Sequence, residues 1–318
     1  MTPAPGPSAR RRRGERAMVP RADFQSYYGR PVIKAPSWAA TDIAGYFFLG
    51  GLAGAGSVLA AGAHLTGRTR TANALKVSSA AAVSLSAAAL VHDLGRPERF
   101  ANMLRVFKPT SPMSMGSWLL SVYGPSAAVA ASTAVTGRLP RLGTAATGAA
   151  ALLGPVVATY TAVLAADTAV PAWHDVHREL PYLFAASATA AAAGMALVTG
   201  PARENAPARC AACLAAVADL AVSSAAERRL GIVAETWRQG RAGSLLRAAR
   251  VLTAGGALAA VLGRRHEAAA VAGLALLAGS VCTRLGVFAA GITSAHDPRY
   301  TVVPQRERRN RAGGAPDA

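Results

Sequence analysis

Eight apolar stretches of about 20 residues or more, separated by polar connections, fill most of this 318-residue chain. They fall near 41–66, 71–92, 113–136, 142–166, 181–200, 207–226, 243–263 and 268–292. A run of that length crosses the hydrocarbon core of a bilayer as a helix. Only a helix or a closed barrel satisfies its own backbone hydrogen bonds there. The predicted fold is therefore an all-α integral membrane protein, a bundle of eight transmembrane helices. Five of the stretches carry no Asp, Glu, Lys or Arg beyond their end turns, as expected where a mid-bilayer charge costs roughly 3 kcal/mol. The seventh contains Arg247 and Arg250, which are expected to snorkel to the nearer surface. Small residues such as Gly50, Gly51, Gly54 and Gly56 predict close helix approach in the first.

The charge distribution adds a direction. Only 16% of residues are charged while 52% are hydrophobic, against about 25% charged in soluble domains; this excludes both a disordered chain and an ordinary soluble one. The net charge of +18 is spread over basic connections and tails rather than held in one motif, so it points to an acidic partner face or the anionic leaflet and not to nucleic acid. Of the 34 Lys and Arg residues, 22 fall on the face that carries both termini and nine on the other. By the positive-inside rule both termini are expected in the cytoplasm, in a multi-pass plasma-membrane protein. Trp38, Trp118, Trp173 and Trp237 fall near that same face and are expected to form an interfacial belt. Residues 1–26 are Pro-rich and basic with no apolar run, which predicts a disordered cytoplasmic tail and no signal peptide. Residues 27–308 form the membrane domain, and 309–318 a second disordered tail.

Redox centres are constrained by ligand count. Three cysteines, two of them as Cys210-x-x-Cys213, are too few for an iron–sulfur cluster, a structural zinc site or a disulfide framework. His64 and His92 end the first two spans on opposite sides, so they cannot share a haem. His174-x-x-His177 lacks two further ligands for a metal. Any such centre is expected in another chain.

Depth along antiparallel helices can be read at 1.5 Å per residue. On that scale Tyr46 lies roughly 7 Å inside the cytoplasmic edge, and Tyr160, Asp219 and Arg284 about 10 Å each. Asp219 and Arg284 are expected to form an intramembrane ion pair, either a structural bridge between helices six and eight or part of a proton path or ligand pocket. Asp42, His92, Asp93, Arg96, Asp167, His174, His177 and Asp297 stand at the rim of the same face. Residues 93–118 join two Pro-linked turns to a piece in which Phe100, Met103, Leu104 and Phe107 recur at helical spacing, which predicts an interfacial amphipathic cap.

Taken together, YYGRPVIKAPSW (27–38), YFFLGGLAGAGSVLA (46–60), residues 93–118, Tyr160-Thr161 and residues 294–308 resemble the membrane subunit of the polysulfide reductase family, the NrfD-type proteins. The resemblance runs in order over roughly residues 27–308. It implies an eight-helix subunit without haem that binds a menaquinone or ubiquinone headgroup between helices. It also implies a four-cluster ferredoxin-like iron–sulfur partner that passes electrons to a molybdopterin-type catalytic subunit, such as a formate dehydrogenase or polysulfide reductase. By position, Tyr160 resembles the phenol that hydrogen-bonds a quinone carbonyl and Asp93 the loop acid near the headgroup; Arg96 and Arg99 belong to the same signature. Some relatives carry an Asn and a His early in helix one, where this chain has Asp42 and Tyr46.

Quinone chemistry moves two electrons and two protons, so it needs hydrogen-bond donors for two carbonyls and groups that relay protons. Tyr160, Tyr46, Asp42, Asp93 and His92 meet those needs. A transporter or channel would show broken helices and charges at mid-membrane. A passive anchor would keep full electron flow when Tyr160 and Asp93 are replaced.

Overall fold

The computed structural model describes residues 32–34, 36, 38–93, 102–263 and 265–313. Eight of its helices are long and apolar enough to cross a membrane. They are α1 (Ala40–Leu65), α2 (Thr69–Asp93), α3 (Pro112–Thr136), α4 (Pro140–Ala166), α5 (Leu180–Thr199), α6 (Ala206–Leu230), α7 (Gly240–Leu262) and α8 (His266–His296). A ninth helix, α9 (Arg299–Gly313), follows and runs past the boundary expected at residue 308. Among the described residues there is no strand. The expected N-terminal tail lies outside the described residues, as do residues 314–318. Alanine, the best helix former, supplies much of every span, and lipid offers the backbone no alternative partner. The sixth span is longer than its apolar run predicts. It continues through a 3₁₀ turn (Gly231–Ala234) and a short helix (Glu235–Arg238).

The helices pack as two rings of four. In the first, α1 packs on α2, α2 on α3, α3 on α4, and α4 back on α1. In the second, α5 packs on α6, α6 on α7, α7 on α8, and α8 back on α5. Contacts of α1 with α5 and α8, and of α5 with α2 and α4, join the rings. Accordingly α1 is central, with 72% of its core span buried, whereas α3 is peripheral, with 28%. Leu85, Leu152, Leu214, Val251 and Val271 are exposed on the outer helices, where lipid covers them.

Each ring closes on a pair of glycines. A Cβ added at Gly54 of α1 would run into the backbone oxygen of Gly154 on α4, and one at Gly154 into that of Gly54. Gly194 of α5 and Gly273 of α8 stand in the same relation, at 2.6 and 2.5 Å. The remaining small residues of α1 serve other neighbours. Gly51 makes room for the Arg284 guanidinium, and Gly56 for the Ser79 hydroxyl.

One face gathers the start of α1, the end of α2, the α4–α5 and α6–α7 connections, and α9; it is called the terminal face below. The Ala39 N–H donates to Asp93 Oδ1 at 3.2 Å, Trp38 stacks on Trp173 at 5.8 Å, and Arg229 meets Glu179 at 3.3 Å. Glu235 holds both the Arg299 guanidinium and, at 3.4 Å, the Tyr300 hydroxyl. Burial and that carboxylate push the Tyr300 phenol above its ordinary pKa.

Two expectations change here. Trp173 and Trp237 are not lipid-facing belt residues but fully buried, at 0% and 1% exposure. Trp173 donates from Nε1 to the Val287 carbonyl at 2.8 Å, plugging the end of α8 against Gly291, so packing overrides interfacial preference. In α7, Arg247 does reach the surface, donating to the Arg238 carbonyl at 2.8 Å. Arg250 instead pairs with Glu227 of α6.

Candidate functional site

The polar residues of α1 and α2 meet at the terminal face. Asp42, in the first turn of α1, places Oδ2 2.9 Å from Nδ1 of His92, in the last turn of α2. The His92 side chain is 78% exposed and that of Asp42 24%, so the pair bridges water and the helix interior. Asp93, next to His92, accepts the Ala39 N–H and ties down the start of α1. Helical spacing then sets the second layer. Tyr46 follows Asp42 by four residues, on the same face of α1 and about 6 Å deeper.

Tyr46 is 1% exposed, and among the described residues its buried hydroxyl has no hydrogen-bond partner. Its ring meets that of Tyr160, from α4, edge to face at 6.4 Å. Tyr160 lies across Gly116 of α3, where an added Cβ would stand 2.6 Å from the phenolic oxygen. The hydroxyl of the partly buried Tyr160 also has no hydrogen-bond partner among the described residues. Among the described residues the two phenols are thus donors without a protein acceptor, placed by three helices of one ring. For the buried Tyr46 hydroxyl this is costly unless something else accepts the bond.

Gly116→Ala is expected to push the Tyr160 ring from its place and to cost about 1–3 kcal/mol, because the added Cβ would overlap the ring. The check is thermal unfolding of the purified chain in detergent. Unchanged stability would show that the contact between α3 and Tyr160 yields without cost.

Beside this cluster the segment from residue 102 folds onto the start of α3. Ser114 donates to the Val106 carbonyl at 2.8 Å and accepts the Lys108 N–H at 3.1 Å. Phe107 packs edge-on against Trp118 at 6.0 Å. The amphipathic helix expected through Phe107 does not continue that far. Among the described residues of this segment 102–103 are helical and 104–107 are not, and Ser114 captures the backbone of the turn that follows. Phe100, Arg96 and Arg99 lie outside the described residues.

Asp219 and Arg284 do not join the cluster, and among the described residues they do not form the expected ion pair. The reason is topological. Asp219 is on α6, which packs on α5 and α7, whereas Arg284 of α8 turns toward α1 and α5. Its Nη2 donates to the Phe184 carbonyl at 2.8 Å, and the guanidinium lies 3.7 Å over the Phe184 ring. One carboxylate oxygen of Asp219 and two guanidinium nitrogens of Arg284 are buried without partners among the described residues.

His174 and His177 hold neighbouring carbonyls, of Ala166 and His174, each at 3.0 Å. Among the described residues no group of three or more His, Cys, Asp or Glu side chains is placed to hold a metal.

The sequence profile of the NrfD polysulphide reductase family matches residues 34–209, from just before α1 into the start of α6. The chain belongs to the NrfD polysulphide reductase family. No curated protein matches it. The NrfD match contains the whole Asp42–His92 and Tyr46–Tyr160 cluster, together with Asp93, Arg96 and Arg99, and it ends before Asp219 and Arg284.

Sequence reasoning missed Gly116, whose missing side chain seats Tyr160; a lone glycine near a helix start carries no distinguishing signal. It also missed Phe184 as the partner of Arg284, which no spacing in the sequence reveals.

Proposed function

We propose that this chain is the quinone-reactive membrane subunit of a multi-subunit oxidoreductase. It exchanges electrons between a menaquinone or ubiquinone pool and a four-cluster ferredoxin-like iron–sulfur subunit, which serves a molybdopterin-type catalytic subunit. The observation that carries this reading is the buried Tyr46 hydroxyl, which has no partner among the described residues and whose ring lies against that of Tyr160, one turn beneath the Asp42–His92 pair. Membership in the NrfD family supports it.

A quinone headgroup fits these residues. Its two carbonyls are acceptors, and Tyr46 and Tyr160 offer two O–H donors; among the described residues neither has a protein acceptor, and that of Tyr46 is buried. Deeper along the same helices an apolar groove of about 210 Å³ between α1, α4 and α5, lined by Val58, Leu59, Pro155 and Thr159 among others, suits an isoprenoid tail. When bound, the quinone supplies reversible two-electron, two-proton carbonyl chemistry. The chain's own residues orient it and manage protons. Tyr160 and Tyr46 hold the carbonyl oxygens in place. Asp42 and His92, in contact with each other and with water, pass protons between the surface and the first turns of α1. Asp93 keeps α1 anchored so that the phenols stay in register with them.

Purification in mild detergent with mass spectrometry of associated chains tests the assembly. An iron–sulfur subunit is the expected companion, and a chain that purifies alone from its native membrane would contradict the proposal. We also place both termini in the cytoplasm. A C-terminal reporter active only on the far side of the membrane would overturn that orientation.

A further inference from the structure

Where α6 ends and α7 begins, the second ring gathers more positive charge than its carboxylates offset. From Glu227, in the last turn of α6, to Arg250 of α7 the chain carries six arginines and two carboxylates. Both carboxylates are already held. Glu227 accepts from Arg238 at 2.8 Å and from Arg250, and Glu235 pairs with Arg299 of α9. Arg229 turns away to Glu179 at 3.3 Å. Arg228, Arg241 and Arg247 are left, all exposed, and among the described residues none of them has a carboxylate within ion-pair distance. Arg228 donates to the Ser224 carbonyl at 3.2 Å and Arg247 to the Arg238 carbonyl at 2.8 Å. Those acceptors are neutral, so the charge stays.

Helical spacing sets these guanidiniums above hydrocarbon. On α7, exposed Arg241, Ser244, Arg247, Val251 and Leu258 follow one another at helical spacing and form a single stripe. On α6, exposed Leu214, Val217, Ser224 and Arg228 do the same. The two helices pack on each other and Arg250 ties them to Glu227 near the terminal face, so both stripes border one outer edge, whose basic end is the same for each. Arg247 is seven residues into α7, about 10 Å below its start. A water-borne protein meets a helix from its end, whereas a phospholipid meets it from the side, with a phosphate near that depth and acyl chains beneath. The charge and the apolar stripe together fit the lipid.

We infer that this α6–α7 edge is a binding site for an anionic phospholipid of the leaflet at the terminal face. Arg241 and Arg247 make the charge-assisted contacts to the phosphate, whose oxygens match the guanidinium fork. Arg228 adds its charge from α6, as basic residues between helices do for acidic headgroups. The acyl chains lie along Val251 and Leu258 of α7 and Val217 and Leu214 of α6. This site belongs to the second ring and does not depend on the quinone reading.

The test melts the full chain, purified and stripped of lipid in detergent, over a titration of phosphatidylglycerol in mixed micelles, because a ligand of the folded form raises its melting temperature. Phosphatidylglycerol is expected to stabilise the wild type; phosphatidylcholine and inorganic phosphate at the same concentrations are not. Arg241→Gln combined with Arg247→Gln is expected to weaken the phosphatidylglycerol affinity by about 30-fold, the usual contribution of two arginines at an anionic surface. Arg241→Lys with Arg247→Lys keeps the charges and should retain most of it. Should the double Gln variant not fold, Arg241→Gln alone, at a side chain with no hydrogen bond among the described residues, gives a reading of about fivefold. Arg138→Gln, exposed on the opposite face, should change nothing. A wild type that phosphatidylglycerol stabilises no more than phosphatidylcholine does would overturn the inference and leave an acidic protein face as the target of these arginines. Equal stabilisation by inorganic phosphate would overturn it in favour of a free anion, and wild-type affinity in the Gln variants would remove the arginines from the site.

Discussion

A Tyr160→Phe complex is expected to turn over quinone roughly 100-fold more slowly than wild type, the lower end of what a positioned proton donor contributes. The ring would remain against Gly116 and edge-on to Tyr46, so the substitution removes a donor without disturbing the contacts that seat it. Because among the described residues the phenol makes no hydrogen bond, its loss leaves no protein group unsatisfied and folding should be unaffected. Steady-state kinetics of the reconstituted complex separate the effects. The turnover number should fall more than the apparent affinity, and Tyr46→Phe should act in the same direction. Unchanged kinetics in both variants would remove the phenols from the chemistry.

The largest effect on stability is expected from Gly54→Leu. At that position α1 and α4 touch backbone to backbone, so a side chain forces the helices apart over the whole first ring. Overpacking of this kind costs about 1–3 kcal/mol or more, because the obstructing atom is a main-chain oxygen that no rotamer can move. Gly62→Leu, on the same helix with nothing within 4 Å of its added Cβ, is the control and should be nearly neutral. Thermal unfolding in detergent, followed by loss of the monodisperse species, reads the difference. Equal stability of the two variants would mean that the α1–α4 crossing does not depend on Gly54.

Much of the fold is legible in the sequence because lipid leaves the chain few options. A long apolar run must be a helix, and its length is set by the bilayer. Hence the observed helices begin and end within a few residues of the apolar stretches, except α6, whose polar last turn around Glu227 and Arg228 hides the helix that continues there. Which helices touch is a different matter. Depth can be counted from the sequence, but azimuth cannot, and so Asp219 and Arg284 share a level without coming within ion-pair distance among the described residues. The same limit explains Trp173, which lies at interfacial depth yet points into the bundle. In the candidate site, Tyr46 and Asp42 are legible from their four-residue spacing, and Tyr160 from the family signature. Their meeting with His92 and Gly116 depends on the packing of four helices in one ring.

The most direct test of the central claim is photolabelling of the purified complex with a photoreactive quinone analogue, followed by peptide mapping with and without excess native quinone. The site proposed here requires competed label near Tyr46 on α1, Gly116 on α3 or Tyr160 on α4. Label that native quinone does not displace, or that falls only on the second ring of helices, would contradict it.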